Sequence, residues 1–265
     1  YKGGSLKSWF LFYPVERALA RMTDVLVTIN REDRSCAGRF ILKKGGQVAF
    51  MPGTGTDTDR FCPDRSRRQE ARQVMGVKEE EYCLVTAARL DREKNCQTVL
   101  RAMEELGDIP CRYVICGEGP WRPFLEREVR RRGLEDRVRL MGFRADMDFL
   151  LQGADLFLFP SLREGLGMAA LEAMACGLPV VAADSRGTRE YIRQGENGFL
   201  CSGRQPREFA EAVRELWQRE NLRSDMGREA RRMSLRFSRQ RAGEKMEEIY
   251  RSVGIWKKDP KSASL

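Results

Sequence analysis

Pro160-Ser161-Leu162-Arg163-Glu164-Gly165-Leu166-Gly167-Met168-Ala169-Ala170-Leu171-Glu172-Ala173-Met174-Ala175-Cys176-Gly177-Leu178-Pro179 is the stretch on which the fold turns. It follows the apolar run Asp155–Phe159, passes through a glycine-containing turn into an Ala/Leu/Met-rich segment, and stops at Gly177 before Pro179. That order spells a buried strand, a tight turn, a helix and a glycine stop. A turn that opens a helix directly after a buried strand aims free backbone N–H groups, and the positive end of the helix dipole, at the ligand side. The backbone of Gly165, Leu166, Gly167 and Met168 is therefore a candidate anion site. Glu164 precedes the helix and Glu172 lies eight residues on, about 12 Å away if the whole stretch were helical. One carboxylate can accept hydrogen bonds from a sugar and the other from a ribose, with phosphates on the N–H groups between; ionised carboxylates are strong, acceptor-only groups suited to hydroxyls. Spacing alone favours two surface glutamates on an amphipathic helix. The position after a buried strand and beside a glycine turn favours function.

Working outward, short β-branched or aromatic runs alternate with longer amphipathic stretches. The strands read Tyr82–Ala88, Arg112–Cys116, Arg137–Met141, Asp155–Phe159, Pro179–Ala183 and Gly198–Cys201. Helices are expected near Asn95–Leu106, Trp121–Arg132, Ala145–Gln152, Gly167–Cys176 and Gly187–Gln194. The fold class is therefore α/β, a Rossmann-like, doubly wound parallel sheet with apolar strands covered on both faces. Two or three more helices follow, over Pro206–Arg219, Leu222–Phe237 and Ser238–Val253, and the closing KKDPKSASL reads as a disordered tail. Before the sheet come an aromatic helical segment at residues 8–21 with Pro14 inside it, strands at Asp24–Ile29 and Gln47–Met51, a polar helical stretch from Arg31, and a Gly/Thr/Asp turn cluster at Pro52–Asp59 that reads as a linker.

Ligands in such sheets bind beyond the carboxyl ends of the strands, so the loops there are the places to look. The first strand of the sheet runs into Arg89 and, before the next helix, Lys94. Two cations flanking a βα turn can neutralise a diphosphate, Arg as a planar fork and Lys as a point charge; surface charge near a helix start is the other reading. The next strand ends in Cys116-Gly117-Glu118-Gly119, where two glycines allow close backbone approach to a ligand, although turn geometry alone also explains them. The strand Arg137–Met141 ends at Gly142-Phe143, and the backbone at Leu140 and Met141 is the candidate partner for a base edge, which spacing by itself does not decide.

Composition narrows the chemistry. The chain of 265 residues has no histidine, so a His general base or a Ser-His-Asp triad is excluded within it. Its eight cysteines form no C-x-x-C pair, which argues against a zinc site, and Cys83, Cys111, Cys116 and Cys201 fall in or beside apolar runs, as core thiols in a reducing compartment would. A net charge of +9 favours anionic partners without choosing among them, and runs such as Arg127–Arg132 and Arg228–Arg232 read as solvated helix faces. No apolar run reaches the roughly 18 residues that span a bilayer, and no signal peptide is recognisable, so a cytoplasmic site is expected. The chain opens on Tyr1 rather than Met, which points to a missing N-terminus.

Arg89…Lys94, Gly117-Glu118-Gly119, and Glu164-x7-Glu172 followed by Cys176-Gly177-Leu178-Pro179-Val180 together resemble the family 4 retaining glycosyltransferases of GT-B fold, bacterial exopolysaccharide or capsule enzymes in particular. Tyr13-Pro14-Val15-Glu16, Asp24–Asn30 and Pro52–Asp57 share that likeness, which covers the chain to about Val253. The resemblance implies that Arg89 and Lys94 hold the donor diphosphate, Glu172 the ribose hydroxyls and Glu164 the transferred sugar, with the Gly165–Met168 backbone against sugar and phosphate. It implies a UDP-sugar donor, no metal, and no enzymic nucleophile, with retention by attack from the face the nucleotide leaves. It also implies a glycan or lipid-linked acceptor in surface polysaccharide synthesis, and peripheral contact with the inner face of the plasma membrane through the basic, aromatic Lys7–Arg21 segment.

On the same resemblance residues 1–58 are the remnant of an N-terminal acceptor domain with its linker, 59–237 the nucleotide-sugar domain, and 238–265 a crossover helix and tail. Ala88 stands where the family commonly has glycine. Most of the N-terminal domain, with its glycine-rich loop and histidine, is absent, so weak donor binding and little or no transfer are expected. Trp9, Phe10, Leu11 and Phe12 would then form an exposed apolar patch. Competing readings are a UDP-sugar 2-epimerase, disfavoured by the lack of histidine, and a non-catalytic or split-subunit UDP-sugar-binding module completed by a separate N-terminal half. Nucleic acid is the weakest partner, since the basic charge is diffuse and no nucleic-acid-binding signature stands out.

Overall fold

Helix α1 (Leu6–Ala20) runs through Pro14. Its side chains Phe10, Leu11 and Phe12 are 69%, 66% and 54% exposed, as the apolar-patch reading required for these three. The computed structural model describes the backbone of residues 6–254 and side chains from Phe10 onward, so the expectations for Trp9 and the KKDPKSASL tail lie outside the described residues. Strand β1 (Val25–Thr28) leads into α2 (Arg31–Ala37), whose N-cap Asn30 accepts a hydrogen bond from Asp33 N at 2.8 Å. Strand β2 (Gln47–Phe50) then pairs parallel with β1, Val25 opposite Gln47 and Thr28 opposite Phe50.

From Thr56 to Ser238 the chain forms a separate unit. It opens with a 3-10 turn (Arg65–Arg67) and α3 (Arg68–Met75), followed by β3 (Tyr82–Ala87), α4 (Cys96–Glu105), β4 (Cys111–Cys116), α5 (Arg122–Arg131), β5 (Val138–Gly142), α6 (Met147–Leu150), β6 (Leu156–Phe159), α7 (Met168–Ala175), β7 (Val180–Ala183), β8 (Gly198–Cys201), α8 (Pro206–Gln218) and α9 (Glu220–Ser234). Helix α10 (Arg239–Ser252) groups with the segment that ends at Gly55.

The six strands β3–β8 form one parallel sheet in the order β5-β4-β3-β6-β7-β8. Val/Leu/Phe-rich strands such as β6 and β7 are buried along their whole length because helices cover both faces. The strand order reverses between β3 and β6, which leaves a crevice beyond their carboxyl ends where nothing crosses over. Register there is locked by Thr86, whose hydroxyl donates to Leu158 O at 2.6 Å and meets the buried Tyr113 hydroxyl at 2.8 Å.

Two sequence expectations change, and one element was not foreseen. Gly187–Gln194 is not a helix but a single 3-10 turn, Thr188–Glu190, because the Thr188 hydroxyl bonds Ser185 N and Ala183 O and so offers the backbone an alternative to a helical ladder. Helix α3 had no reading at all. It is so polar that its apolar signal is only Ala71, Val74 and Met75, and its buried Arg72 is held by Asp155 and by the carbonyls of Gly153, Lys78 and Glu81. Arg231, in a run read as solvated, donates to the carbonyls of Phe61, Ala175 and Thr58.

Candidate functional site

The loops after β3 and β6 meet at the crevice. Leu162 N donates to Glu93 O at 2.9 Å, and the buried Asn95 side chain donates to Pro160 O at 3.1 Å and Gly203 O at 2.6 Å. Asn95 takes a left-handed conformation (φ 57°) to do so, a shape that asparagine tolerates better than other side chains. Asp91 accepts from the N–H groups of Glu93 and Lys94, which turns the chain back at the foot of Lys94. The result is an ion pair between Lys94 Nζ and Glu164 Oε1, with the Glu164 side chain 12% exposed and Lys94 25%. Two residues read separately from the sequence, 70 positions apart, are thus in direct contact.

The other candidates are placed differently. Arg89 stands 73% exposed with Asp91 at 4.0 Å, outside the Lys94–Glu164 pair. Glu172 lies within α7, and burial raises its carboxyl above the usual range while the nearby Arg60 guanidinium opposes the shift. The helix begins only at Met168, with Gly167 as a left-handed cap (φ 95°), so the 12 Å separation expected of a continuous helix does not apply. Glu164–Gly167 is a turn, and Met168 and Ala169 lead the helix with N–H groups that have no intrahelical acceptor. Gly167 has no room for a side chain, since a Cβ would lie 2.7 Å from the Phe159 ring and 2.8 Å from the Tyr191 hydroxyl.

Gly117 and Gly119 serve the protein's own backbone. A Cβ on Gly117 would lie 1.8 Å from Ala88 O, and one on Gly119 2.2 Å from Leu90 O. Their missing side chains let the loop after β4 press on the loop that carries Arg89 and Lys94, stitched by Leu90 N to Glu118 O at 2.9 Å and Trp121 N to Leu90 O at 2.9 Å. This is the turn-geometry alternative rather than direct evidence of ligand contact. Leu140 pairs with Ile115 in the outer strand β5, and Met141 falls at the register shift before Gly142.

Sequence reasoning missed Arg60 and Arg186. Arg60 donates to Asp148 and Ala145 O, and its charge acts on Glu172; nothing in the turn cluster before it marks it out. Arg186 lies in the loop after β7 and donates through Nε to Glu164 O at 3.3 Å. The strand-end rule that found Lys94 would have found Arg186 too. A cavity of about 610 Å³ lined by Arg65, Arg68, Asp155 and Arg223 opens at the opposite, amino end of β6 and belongs to none of these loops. Among the described residues no group of three or more Cys, Asp or Glu could hold a metal ion, and no helix is long and apolar enough to cross a membrane.

Residues 67–233 match the family model described as glycosyl transferases group 1. The chain belongs to the group 1 glycosyl transferases. Within that family it is 38% identical over 252 residues to the Bacillus subtilis glycosyltransferase EpsD, covering 94% of this chain and 66% of EpsD. It is 32% identical over 255 residues to the alpha-D-kanosaminyltransferase of Streptomyces kanamyceticus, covering 94% of this chain and 64% of that one. This group 1 glycosyl transferase chain therefore spans slightly under two thirds of the length of these relatives. In fold it is similar to Anabaena HepE crystallised with UDP and glucose (TM-score 0.81, 24% identity, 90% of this chain and 66% of HepE). It is also similar to the sucrose-phosphate synthase of Thermosynechococcus elongatus (TM-score 0.80, 24% identity, 91% of this chain and 61% of that one). Both likenesses support the α/β, GT-B type of sheet.

Proposed function

We propose that the crevice between β3 and β6 binds a nucleotide-diphosphate sugar, a UDP-sugar in particular, and that the full-length protein transfers the sugar with retention to a glycan or lipid-linked acceptor in surface polysaccharide synthesis. The observation that carries the reading is the Lys94–Glu164 pair at the strand-order reversal, immediately ahead of a helix N-terminus. The group 1 family, the likeness to EpsD and a fold neighbour holding UDP and glucose support it.

In this scheme Lys94, with Arg89, meets the diphosphate and the charge that grows on it as the nucleotide leaves. The N–H groups of Met168 and Ala169 face the same charge, so preorganised dipoles and cations stabilise departure without a metal. Glu172, with the Arg60 guanidinium opposing the effect of its burial, accepts the ribose hydroxyls, and Glu164 accepts from the sugar. The backbone of Leu140 and Met141 lies toward the base, and Gly117 and Gly119 hold the Arg89–Lys94 loop in place. No side chain is required as a nucleophile when the acceptor attacks from the face the nucleotide vacates.

Donor binding is proposed for this chain and transfer for the longer arrangement its relatives share. Peripheral membrane contact through α1 belongs to the same proposal, on its exposed Phe10, Leu11 and Phe12.

Calorimetric titration of UDP against wild type, Lys94→Ala and Glu172→Ala tests the site. Wild type should bind and both variants should bind at least tenfold more weakly, the loss of one charged hydrogen bond. Equal binding by all three refutes the assignment. A thermal-shift panel of UDP, GDP, ADP and their sugars identifies the nucleotide, because a ligand that binds only the folded state raises the melting temperature.

A further inference from the structure

The segment Arg186–Tyr191, between β7 and β8, touches the Glu164–Gly167 turn at three successive points. Arg186 Nε donates to Glu164 O at 3.3 Å. Gly187 lies so close that a Cβ there would stand 2.8 Å from Leu166 Cα, 2.8 Å from Leu166 N and 2.9 Å from the Gly165 carbonyl carbon. All three are backbone atoms, so nothing can swing aside to admit a side chain. The fully buried Tyr191 then donates to Gly167 O at 3.5 Å.

The segment is itself tied to the sheet. The buried Thr188 hydroxyl accepts from Ser185 N at 3.0 Å and donates to Ala183 O at 2.8 Å, at the last residue of β7. A run of short contacts thus leads from the sheet to the main chain that carries Glu164. The turn needs such support, because residues 164–167 lie outside the α7 ladder and a glycine-containing turn has little stiffness of its own. Rotation about the backbone at Glu164 would swing its carboxylate by ångströms, and a misplacement of about 1 Å at a reacting centre can cost roughly a hundredfold in rate.

Of the three contacts, those of Gly187 and Tyr191 hold Gly165, Leu166 and Gly167, whereas that of Arg186 grips the carbonyl of Glu164 itself. We propose that Arg186 is a positioning residue for Glu164. It fixes the main chain from which the carboxylate, paired with Lys94, meets the transferred sugar, and Gly187 is the packing position that lets its loop approach. This rests on the reading above that Glu164 faces the sugar and not the nucleotide. Arg186 should therefore matter for the sugar part of the donor and leave the nucleotide part alone.

The test compares affinities for UDP and for UDP-sugars in wild type, Arg186→Ala and Arg186→Lys, by calorimetry on the full chain. The sugar probe is whichever of UDP-glucose, UDP-galactose and UDP-N-acetylglucosamine wild type binds most tightly. Arg186→Ala should keep the UDP affinity within about twofold. Its ratio of UDP-sugar to UDP affinity should fall about tenfold or more, the loss of a well-placed charged hydrogen bond. Arg186→Lys keeps the charge and a donor and should recover part of the ratio. Loss of UDP and UDP-sugar affinity by the same factor would mean that Arg186 contacts phosphate or merely stiffens the fold, and would overturn the proposal. So would an unchanged ratio. Should Arg186→Ala fail to fold, Arg186→Lys against wild type decides by the same ratio. Failure of wild type to bind UDP at all would instead remove the donor-site reading, so the two ideas fall separately.

Discussion

Removing the Lys94 ammonium strands the Glu164 carboxylate, whose side chain is only 12% exposed. Breaking a fully buried ion pair on one side costs about 3–5 kcal/mol. Lys94 is a quarter exposed, so water relieves part of that, and about 2–3 kcal/mol is expected, the upper part of the range for a charged hydrogen bond. For a chain of this size roughly 2–4 °C of melting temperature accompanies each kcal/mol, so Lys94→Ala should melt about 4–12 °C below wild type. The double variant Lys94→Ala/Glu164→Gln no longer carries a stranded charge and should regain more than half of the loss, a coupling that a double-mutant cycle reads directly. UDP affinity should behave differently. It should fall roughly ten- to hundredfold in the single variant with the lost phosphate contact and stay low in the double. Thermal unfolding with and without UDP measures both. Equal melting temperatures for the single and double variants would show that the two side chains are not coupled, and recovery of UDP affinity in the double would show that Lys94 does not meet phosphate.

Glu172→Gln should stabilise the protein in a pH-dependent way. Burial raises the Glu172 carboxyl, so on raising pH the unfolded chain releases this proton first, near about 4.3, and wild type loses stability until the folded carboxyl has also ionised. The melting-temperature advantage of Glu172→Gln should be near zero at about pH 4 and grow to a plateau toward neutrality; an advantage that does not vary with pH contradicts the burial argument. Gly117→Ala forces a side chain into φ 149° with its Cβ 1.8 Å from Ala88 O, at a cost of about 2–6 kcal/mol from backbone strain and displacement of the Arg89–Lys94 loop. A loss below about 1 kcal/mol in chemical denaturation would contradict that packing. Thiol labelling of the native protein should modify the half-buried Cys36 and Cys62 first. The buried Cys83, Cys96, Cys111, Cys116, Cys176 and Cys201 should react only on unfolding, since burial pushes Cys96, Cys116, Cys176 and Cys201 up to about 12 and leaves almost no thiolate. Fast labelling of more than two thiols would contradict it.

Much of this protein is legible in its linear chain because strand burial and helix amphipathicity are local signals. The parallel sheet, the turn before α7 and the loops bearing Lys94 and Glu164 follow from apolar runs that end in glycine or charge. What the linear chain alone does not decide is which loops touch. Pairing of Lys94 with Glu164, the exposure of Arg89, the approach of Gly117 to Ala88 and the grip of Arg186 on Glu164 all depend on strand order, and strand order is set by long-range packing. Helix α3 and the 3-10 turn at Thr188–Glu190 escaped for the same reason: a buried arginine answered by distant carbonyls, and a threonine hydroxyl bonding a strand end, carry no periodic pattern. Residue types and their spacing thus determined the layers and the chemistry on offer, while the folded sheet alone decided which of those groups stand within hydrogen-bonding distance of one another.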